Sequence, residues 1–296
     1  MSSKQNILFI INPVSGTSNK KDLPKLIKKL IKHDKFLTSI QYTQYAGHGK
    51  EIASIELKQQ DVIVAVGGDG TINEIGSALV GTNCALGIIP LGSGNGLARS
   101  LNIPLNTKTA IKHLNKAVKN KIDVCYLNDT PFFCTAGIGF DANVAHRFNN
   151  LPSRGLATYI KSVFQEIKNH LELKILISFE GKQLEKIISS ITFANAQQYG
   201  NNFYIAPLAD IQDGITDICI ISKLSFFKII PLSFRLVTQS IHKSSFYEHL
   251  STPSDIRIEI LNSRSPISIH IDGEARFIQE SHITIRNSQQ QLTMFC

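Results

Sequence analysis

The chain opens on a dense apolar run, "NILFIINP", that stops at Asn-Pro. Such a run is the pattern of a strand buried on both faces of a parallel sheet. The lysine-rich stretch that follows, "NKKDLPKLIKKLIKHDK" (residues 19–35), carries apolar residues at helical spacing. It predicts an amphipathic helix whose lysine pairs face solvent, in preference to a dedicated binding patch. "FLTSIQYTQ" reads as a second strand, "GKEIASIELKQQ" as a helix and "DVIVAVGGDG" as a third strand. The order is β-α-β-α-β. It continues with "TINEIGSALVG" as helix, "CALGIIPLG" as strand and "NGLARSLNI" as a short helix. Residues 1–128 are therefore predicted to form an α/β domain with helices on both faces of a sheet.

After "KIDVCYLND" the pattern changes. "PFFCTAGIGF", "ELKILISFEG", "KIISSITFANAQ" and "ITDICIIS" read as strands, and only "LATYIKSVFQEIKNHL" reads firmly as helix. Residues 129–284 are predicted to be a second, mostly antiparallel β domain. The segment "KLSFFKIIPLSFRLVTQSIHK" (residues 223–243) mixes Phe, Leu and Ile with Lys228, Arg235 and Lys243 around Pro231. A core-facing helix or loop is preferred here over an interfacial membrane element. No internal repeat is evident.

Composition narrows the class. With 296 residues, 43% hydrophobic and 18% charged, the chain is globular and long enough for two cores. A net charge of +8 favours anionic partners without choosing among them. Five widely spaced cysteines with no Cys-x-x-Cys pair argue against a disulfide framework or a zinc site and for a reducing compartment. The N-terminal apolar run is too short for a signal peptide, and no stretch approaches the apolar length of a bilayer span. The expectation is a cytoplasmic protein whose membrane contact is peripheral. Nucleic acid is not an expected partner, because no helix-turn-helix pattern or aromatic-basic surface accompanies the charge.

Three loops at predicted strand ends are loaded with glycine: "NPVSG" (12–16), "GGDGT" (67–71) and "GSGNG" (92–96). In an open α/β sheet, ligands bind outside the carboxyl ends of the strands. Glycine lets backbone amides approach phosphate oxygens, and the next helix adds its positive end. A phosphate cradle follows. It is neither Walker nor Rossmann: Gln44 stands where the first needs glycine before "GHGK", and neither "GGDGT" nor "GSGNG" has the Gly-x-Gly-x-x-Gly spacing.

"NPVSG", "VGGDGTINEIGSAL", "LGIIPLGSGNGLARSLNIP", "DGITDICI" and "IDGE", in this order, resemble the diacylglycerol kinase catalytic family, which includes bacterial lipid kinases and the sphingosine kinases. The resemblance covers nearly the whole chain. It implies an α/β nucleotide domain like that of NAD kinases, a β-sandwich-like lipid domain, an active site in the cleft between them, and a final segment (285–296) that returns to the first domain. The implied activity is ATP-dependent and Mg²⁺-requiring phosphorylation of a lipid hydroxyl, in phospholipid metabolism. The implied ATP site comprises Asn12, Ser15, Thr43, Gly67, Gly68, Asp69, Gly70, Thr71, Ile72, Asn73, Glu74, Gly92, Ser93, Gly94 and Asn95. Asp69 holds Mg²⁺ directly or through water, Glu274 is the general base and Asp272 stands beside it. Asp210, Asp213 and the Ile215 carbonyl match a structural Mg²⁺ segment of bacterial members, and Asp123 aligns with a residue of an Asp, water and Mg²⁺ network.

One departure bears on the substrate. Many bacterial diacylglycerol kinases carry Asn-Asp in the third loop, whereas here it is Asn95-Gly96, closer to the "GSGNALA" of sphingosine kinases. "GGDGTINE" is of the diacylglycerol kinase type, and the basic lid "AHRFNNLPSRG" offers a sphingoid amine no acid except the preceding Asp141. The acceptor is thus diacylglycerol, a sphingoid base or a related lipid alcohol. NAD kinase, which shares "GGDGT", and an inactive lipid- or membrane-binding module stay open as rival readings. A homodimer is a further partner the reading allows.

Overall fold

The computed structural model describes residues 4–16, 20–149, 151, 156–168, 171–262 and 266–296. The chain divides into two compact units, Met1–Asp123 with Gln289–Cys296, and Val124–Ser288. The first unit holds strands β1 (Gln5–Ile11), β2 (Phe36–Tyr42), β3 (Val62–Gly67) and β4 (Ala85–Pro90) and helices α1 (Leu23–Leu30), α2 (His48–Glu56), α3 (Asp69–Leu79), α4 (Gly96–Ser100) and α5 (Thr107–Leu114). The strands run parallel in the order β2-β1-β3-β4. The chain steps outward from β1 to β2 and then back across to β3. That reversal leaves a crevice at the carboxyl ends of β1 and β3, the position where open α/β sheets bind ligands.

Burial explains the runs. Every residue of β3 and β4 is buried, as continuous apolar strands covered on both faces must be. In α1, Leu23 and Ile27 are buried while the lysines lie outside, as their spacing predicts. The Asn106 side chain caps α5 by accepting the Lys108 and Thr109 amides.

In the second unit β5 (Lys119–Leu127), which begins in the first, pairs with β6 (Thr130–Phe132). Next come β7 (Thr135–Gly139), α6 (Phe140–Asn149), α7 (Leu156–Glu166), β8 (Leu173–Phe179), β9 (Lys182–Ile188), β10 (Ser190–Ala194) and β11 (Thr216–Ile221). The rest is α8 (Phe226–Val237), β12 (Tyr247–Thr252), β13 (Ile256–Ile260), β14 (Ile267–Ile271), β15 (Glu274–Ile278) and β16 (His282–Phe295). An antiparallel sheet ordered β12-β11-β10-β7-β14-β15 packs against the layer formed by β16, β13, β8 and β9. Alternate inward residues of both layers, mostly isoleucine, make the core: Ile175, Ile177, Ile256 and Ile258 on one side, Ile138, Ile191, Ile218 and Ile269 on the other.

Three expectations shift. "PFFCTAGIGF" divides into β6 and β7 at a bend over Phe133 and Cys134, and Gly139, at φ 97°, ends β7 so that α6 can start. "KIISSITFANAQ" divides at Ser189, whose amide bonds the Ile221 carbonyl at 2.7 Å. The unit boundaries fall near 123 and 288, where residues 128 and 284 were expected, because they lie inside β5 and β16. A strand that continues through a boundary leaves no break in its hydropathy. Residues 289–296 of β16 belong to the first unit, where Met294 pairs with Leu86 of β4. No helix among the described residues is long and apolar enough to cross a membrane.

All five cysteines are free, four are buried, and Cys296 is partly exposed. Burial pushes the Cys84 thiol up to about 11 and the Cys219 thiol up to about 12. Iodoacetamide at mildly alkaline pH should therefore modify Cys296 at least about tenfold faster than Cys84 or Cys219 in the native protein, read by peptide mass spectrometry. Equal rates would mean that the unit cores open on the labelling timescale.

Candidate active site

The three glycine loops and the loop after β2 meet at the carboxyl ends of β1–β4, and one carboxylate ties two of them together. Asp69, the first residue of α3, accepts the Asn95 amide on Oδ2 at 2.8 Å and the Gly96 amide on Oδ1 at 2.7 Å. It thus joins the second loop to the third. Asn95 adopts a left-handed conformation, φ 53°, which Asn tolerates better than most residues. Its side chain clasps the third loop, Oδ1 taking the Gly92 amide at 2.9 Å and Nδ2 donating to the Gly92 carbonyl at 2.8 Å.

Glycine is required where backbones touch. A Cβ on Gly92 would lie 2.7 Å from the Gly68 Cα, inside any allowed contact. A Cβ on Gly16, at φ 64°, would lie 2.0 Å from the Leu91 carbonyl oxygen, so the first loop is laid against the residue that leads into the third. Asn12 completes the link: Nδ2 donates to Thr71 Oγ1 at 2.9 Å, and Oδ1 accepts the Val14 amide at 3.0 Å. Ser15 Oγ donates to the Asn12 carbonyl at 3.3 Å, and the Thr43 amide donates to the Ile11 carbonyl at 3.0 Å. Glu74 holds the loop after β2, accepting the Gly47 amide at 2.8 Å and the Gly49 amide at 3.2 Å.

The remaining residues divide by exposure. Ser93 is exposed and Gly67, Thr71, Asn73 and Asn95 are buried, while Gly68, Gly70, Gly92 and Gly94 are intermediate. Ile72 sits in the core at 2% exposure, so its side chain faces away from any ligand and only its backbone remains for one. Arg99 was missed by the sequence reading: its Nε donates to the Gly94 carbonyl at 3.0 Å and steadies the third loop from one turn into α4. The only signal was a cation just after the glycines. Lys20 Nζ donates to the Pro13 carbonyl at 3.1 Å, and burial lowers the pKa of its ammonium. With Lys108, Asn106, Leu23, Leu26 and Leu91 it lines a hollow of about 320 Å³.

In the second unit, Asp272 and Gly273 form the two-residue turn between β14 and β15, at φ 47° and 82°. Both values lie in the left-handed region that such hairpins demand. Asp272 is buried at 9% exposure, and its carboxylate accepts three amides: Phe133 at 3.0 Å, Cys134 at 2.8 Å and Thr135 at 3.2 Å. These are the amides of the bend between β6 and β7. Glu274, exposed, follows opposite Ile271. Beside this hairpin a buried polar cluster escaped the sequence reading. Asp141 Oδ2 accepts from Thr192 Oγ1 at 2.7 Å and Tyr199 at 3.2 Å and faces His270 Nε2 at 3.1 Å. Gly137 makes room for it, since a Cβ there would meet His270 Nε2 at 2.9 Å.

Each carboxylate named as a metal ligand accepts a backbone amide. Asp210 and Asp213 are exposed and each caps its own loop, Oδ1 accepting the Gln212 amide at 3.0 Å and the Ile215 amide at 2.9 Å. Asp123 is fully buried and accepts the Gln290 amide at 2.7 Å, anchoring the end of the chain to β5. Among the described residues, no three His, Cys, Asp or Glu side chains gather as a metal-binding group. Part of the expected lid, residues 150 and 152–155, lies outside the described residues. Within it Arg147 is paired with Glu166 at 2.9 Å.

A glycine-lined α/β unit and an isoleucine-cored antiparallel unit define a two-part protein of the NAD kinase and diacylglycerol kinase architecture. Residues 6–127 match the diacylglycerol kinase catalytic domain, and residues 134–290 match the YegS C-terminal NAD kinase beta sandwich-like domain. The chain belongs to this diacylglycerol and lipid kinase family, which supports a phosphotransferase role. It is 29% identical over 281 residues to a diacylglycerol kinase of Bacillus subtilis, covering 90% of this chain and 88% of that protein. An uncharacterised protein of Synechocystis is 28% identical over 285 residues, and the match spans 65% of that protein's length. The fold is that of a diacylglycerol kinase crystal structure from Bacillus anthracis, with a TM-score of 0.75, 20% identity and coverage of 100% of this chain and 98% of that one.

The three amides on Asp272 set its energetic role. Asp272→Ala should destabilise the second unit by about 3 kcal/mol, the scale of stranding buried amides that bonded a charge. Urea denaturation checks this, and a loss below about 1 kcal/mol would show that the bend holds without the carboxylate.

Proposed function

We propose that the protein transfers the γ-phosphoryl group of ATP to a hydroxyl of diacylglycerol or a closely related lipid alcohol. The observation that carries the reading is the Asp69 carboxylate holding the second and third glycine loops together, with Gly68 and Gly92 backbone against backbone. Such a surface presents amides and a helix N-terminus to a polyphosphate, with no side chains to keep it away. Asn12, Thr71 and Glu74 keep it rigid, and positioning is most of what phosphoryl transfer requires. Lys20 and Lys108 supply positive charge beside it.

Glu274 accepts the proton of the lipid hydroxyl as its oxygen forms a bond to the γ-phosphorus and the bond from phosphorus to the β-γ bridging oxygen breaks, leaving ADP. Asp272 sets the hairpin that presents Glu274 and is a positioning residue. Asp69 would hold Mg²⁺: its carboxylate supplies hard oxygen donors where the second and third glycine loops meet, the ligand type that ion takes. When bound, Mg²⁺ supplies charge neutralisation at the phosphates. Asp210, Asp213 and the Ile215 carbonyl are hard oxygen donors for a structural Mg²⁺. Diacylglycerol is favoured over a sphingoid base because Asp141, the acid that immediately precedes the lid in sequence, is engaged by Thr192, Tyr199 and His270.

The reading is tested by supplying labelled ATP with diacylglycerol, monoacylglycerol or a sphingoid base, then extracting into organic solvent. Labelled phosphatidic acid is expected; label found on none of the lipids sinks the proposal. Asp69→Ala should lower kcat at least about 100-fold with an unchanged circular dichroism spectrum. Glu274→Gln should lower kcat on a similar scale with the KM for ATP kept, and an unchanged rate removes Glu274 as base.

A further inference from the structure

Helix α8 carries two apolar faces, and the second unit covers only one of them. Ile229, Leu232 and Leu236 are buried, Ile229 against Phe140, Val144 and Ile167, and the two leucines against Ile205 and Ala206. On the other side Phe226, Phe227, Ile230, Phe234 and Val237 are 47%, 87%, 64%, 68% and 50% exposed. At 3.6 residues per turn these five fall within an arc of roughly 100°. A helix that meets only its own core and water carries polar residues there. The patch grows toward α7: Phe164 packs on Phe226 with ring centroids 5.8 Å apart, and Ile160, one turn earlier, is 42% exposed.

The charges that flank α8 in sequence have one sign. From Ile218 to Tyr247 the chain has no Asp or Glu. Lys223 stands exposed before the helix, His242 and Lys243 stand exposed after it, and Lys161 on α7 and Lys168 just beyond it are exposed. Lys228 and Arg235 lie on one flank, turned to the Phe246 ring and to Ser244. Large apolar groups along a helix with a basic border match the interfacial plane of a bilayer containing anionic lipid. An acidic border would be repelled by that surface.

We propose that the α8 face from Phe226 to Val237 docks this protein on anionic bilayers, with Phe227 and Phe234 entering the headgroup and acyl boundary. The inference rests on the lipid-kinase reading for the reason the protein would meet a bilayer, and it adds the part of the surface that does so. The core-facing role expected for this segment therefore describes half of the helix.

Co-sedimentation with vesicles of phosphatidylcholine alone, or of phosphatidylcholine mixed with phosphatidylglycerol, tests it. Wild type should bind the mixed vesicles, less at high salt. The double substitution Phe227→Ser with Phe234→Ser should lower the partition coefficient by roughly tenfold or more, and Lys223→Gln with Lys243→Gln should lower it several-fold on mixed vesicles only. All four side chains are exposed, so the variants should fold, which circular dichroism verifies. Vesicle binding unchanged by the Phe substitutions, or no binding by wild type, overturns the proposal. So does a wild-type dimer in size-exclusion chromatography that the same substitutions split, since a second copy would then be the occupant. Activity on a short-chain acceptor dispersed in detergent separates the two readings. Kept activity with lost vesicle binding supports the docking face; binding that depends on the two Phe while no lipid is phosphorylated leaves the face standing and removes the kinase.

Discussion

The first unit of this molecule depends on two short hydrogen bonds to Asp69. A carboxylate at the start of α3 receives the Asn95 and Gly96 amides, and charge-assisted bonds of this kind are about twice as strong as neutral ones. Without that acceptor the third loop would have two amides to satisfy elsewhere. The glycines at 68 and 92 then become necessary, since the loops come close enough that a methyl group would overlap backbone. Asn12, Thr71 and Glu74 extend the same economy outward, each side chain anchoring a neighbouring loop.

The second unit uses a carboxylate in a related way. Asp272 sits in a tight hairpin turn and gathers the three amides exposed where β6 bends into β7. Burial of a charge is costly unless it is fully hydrogen-bonded, and three donors meet that condition. Satisfying the bend lets β7 continue into the sheet beside β14. It also fixes where Glu274 begins β15. Asp141 extends the pattern one layer further in, joining Thr192, Tyr199 and His270 around the space left by Gly137.

Much of the fold was legible because buried parallel strands write themselves as unbroken apolar runs. β1, β3 and β4 were read from that signal, and the glycine loops were read from their position after those strands. The misses have physical causes. α6 was not read as a helix, because the signal for its start, Gly139, is a single residue whose positive φ only the structure reveals. α8 was half understood because an amphipathic pattern says how wide an apolar stripe is and not whether it is covered. Unit boundaries inside β5 and β16 leave no compositional mark.

The sequence by itself determined the order of elements, the place of the glycine loops and the family to which they belong, because these follow from local periodicity and motif spacing. Tertiary structure decided what each acid does. Asp69 bridges two loops, Asp272 caps a bend, Asp123 anchors the last strand, and Asp210 and Asp213 cap their own turns. In the sequence they are equivalent letters near glycines. Their roles differ because a carboxylate takes its function from the donors that the fold brings within about 3 Å, and those donors lie as many as 167 residues away.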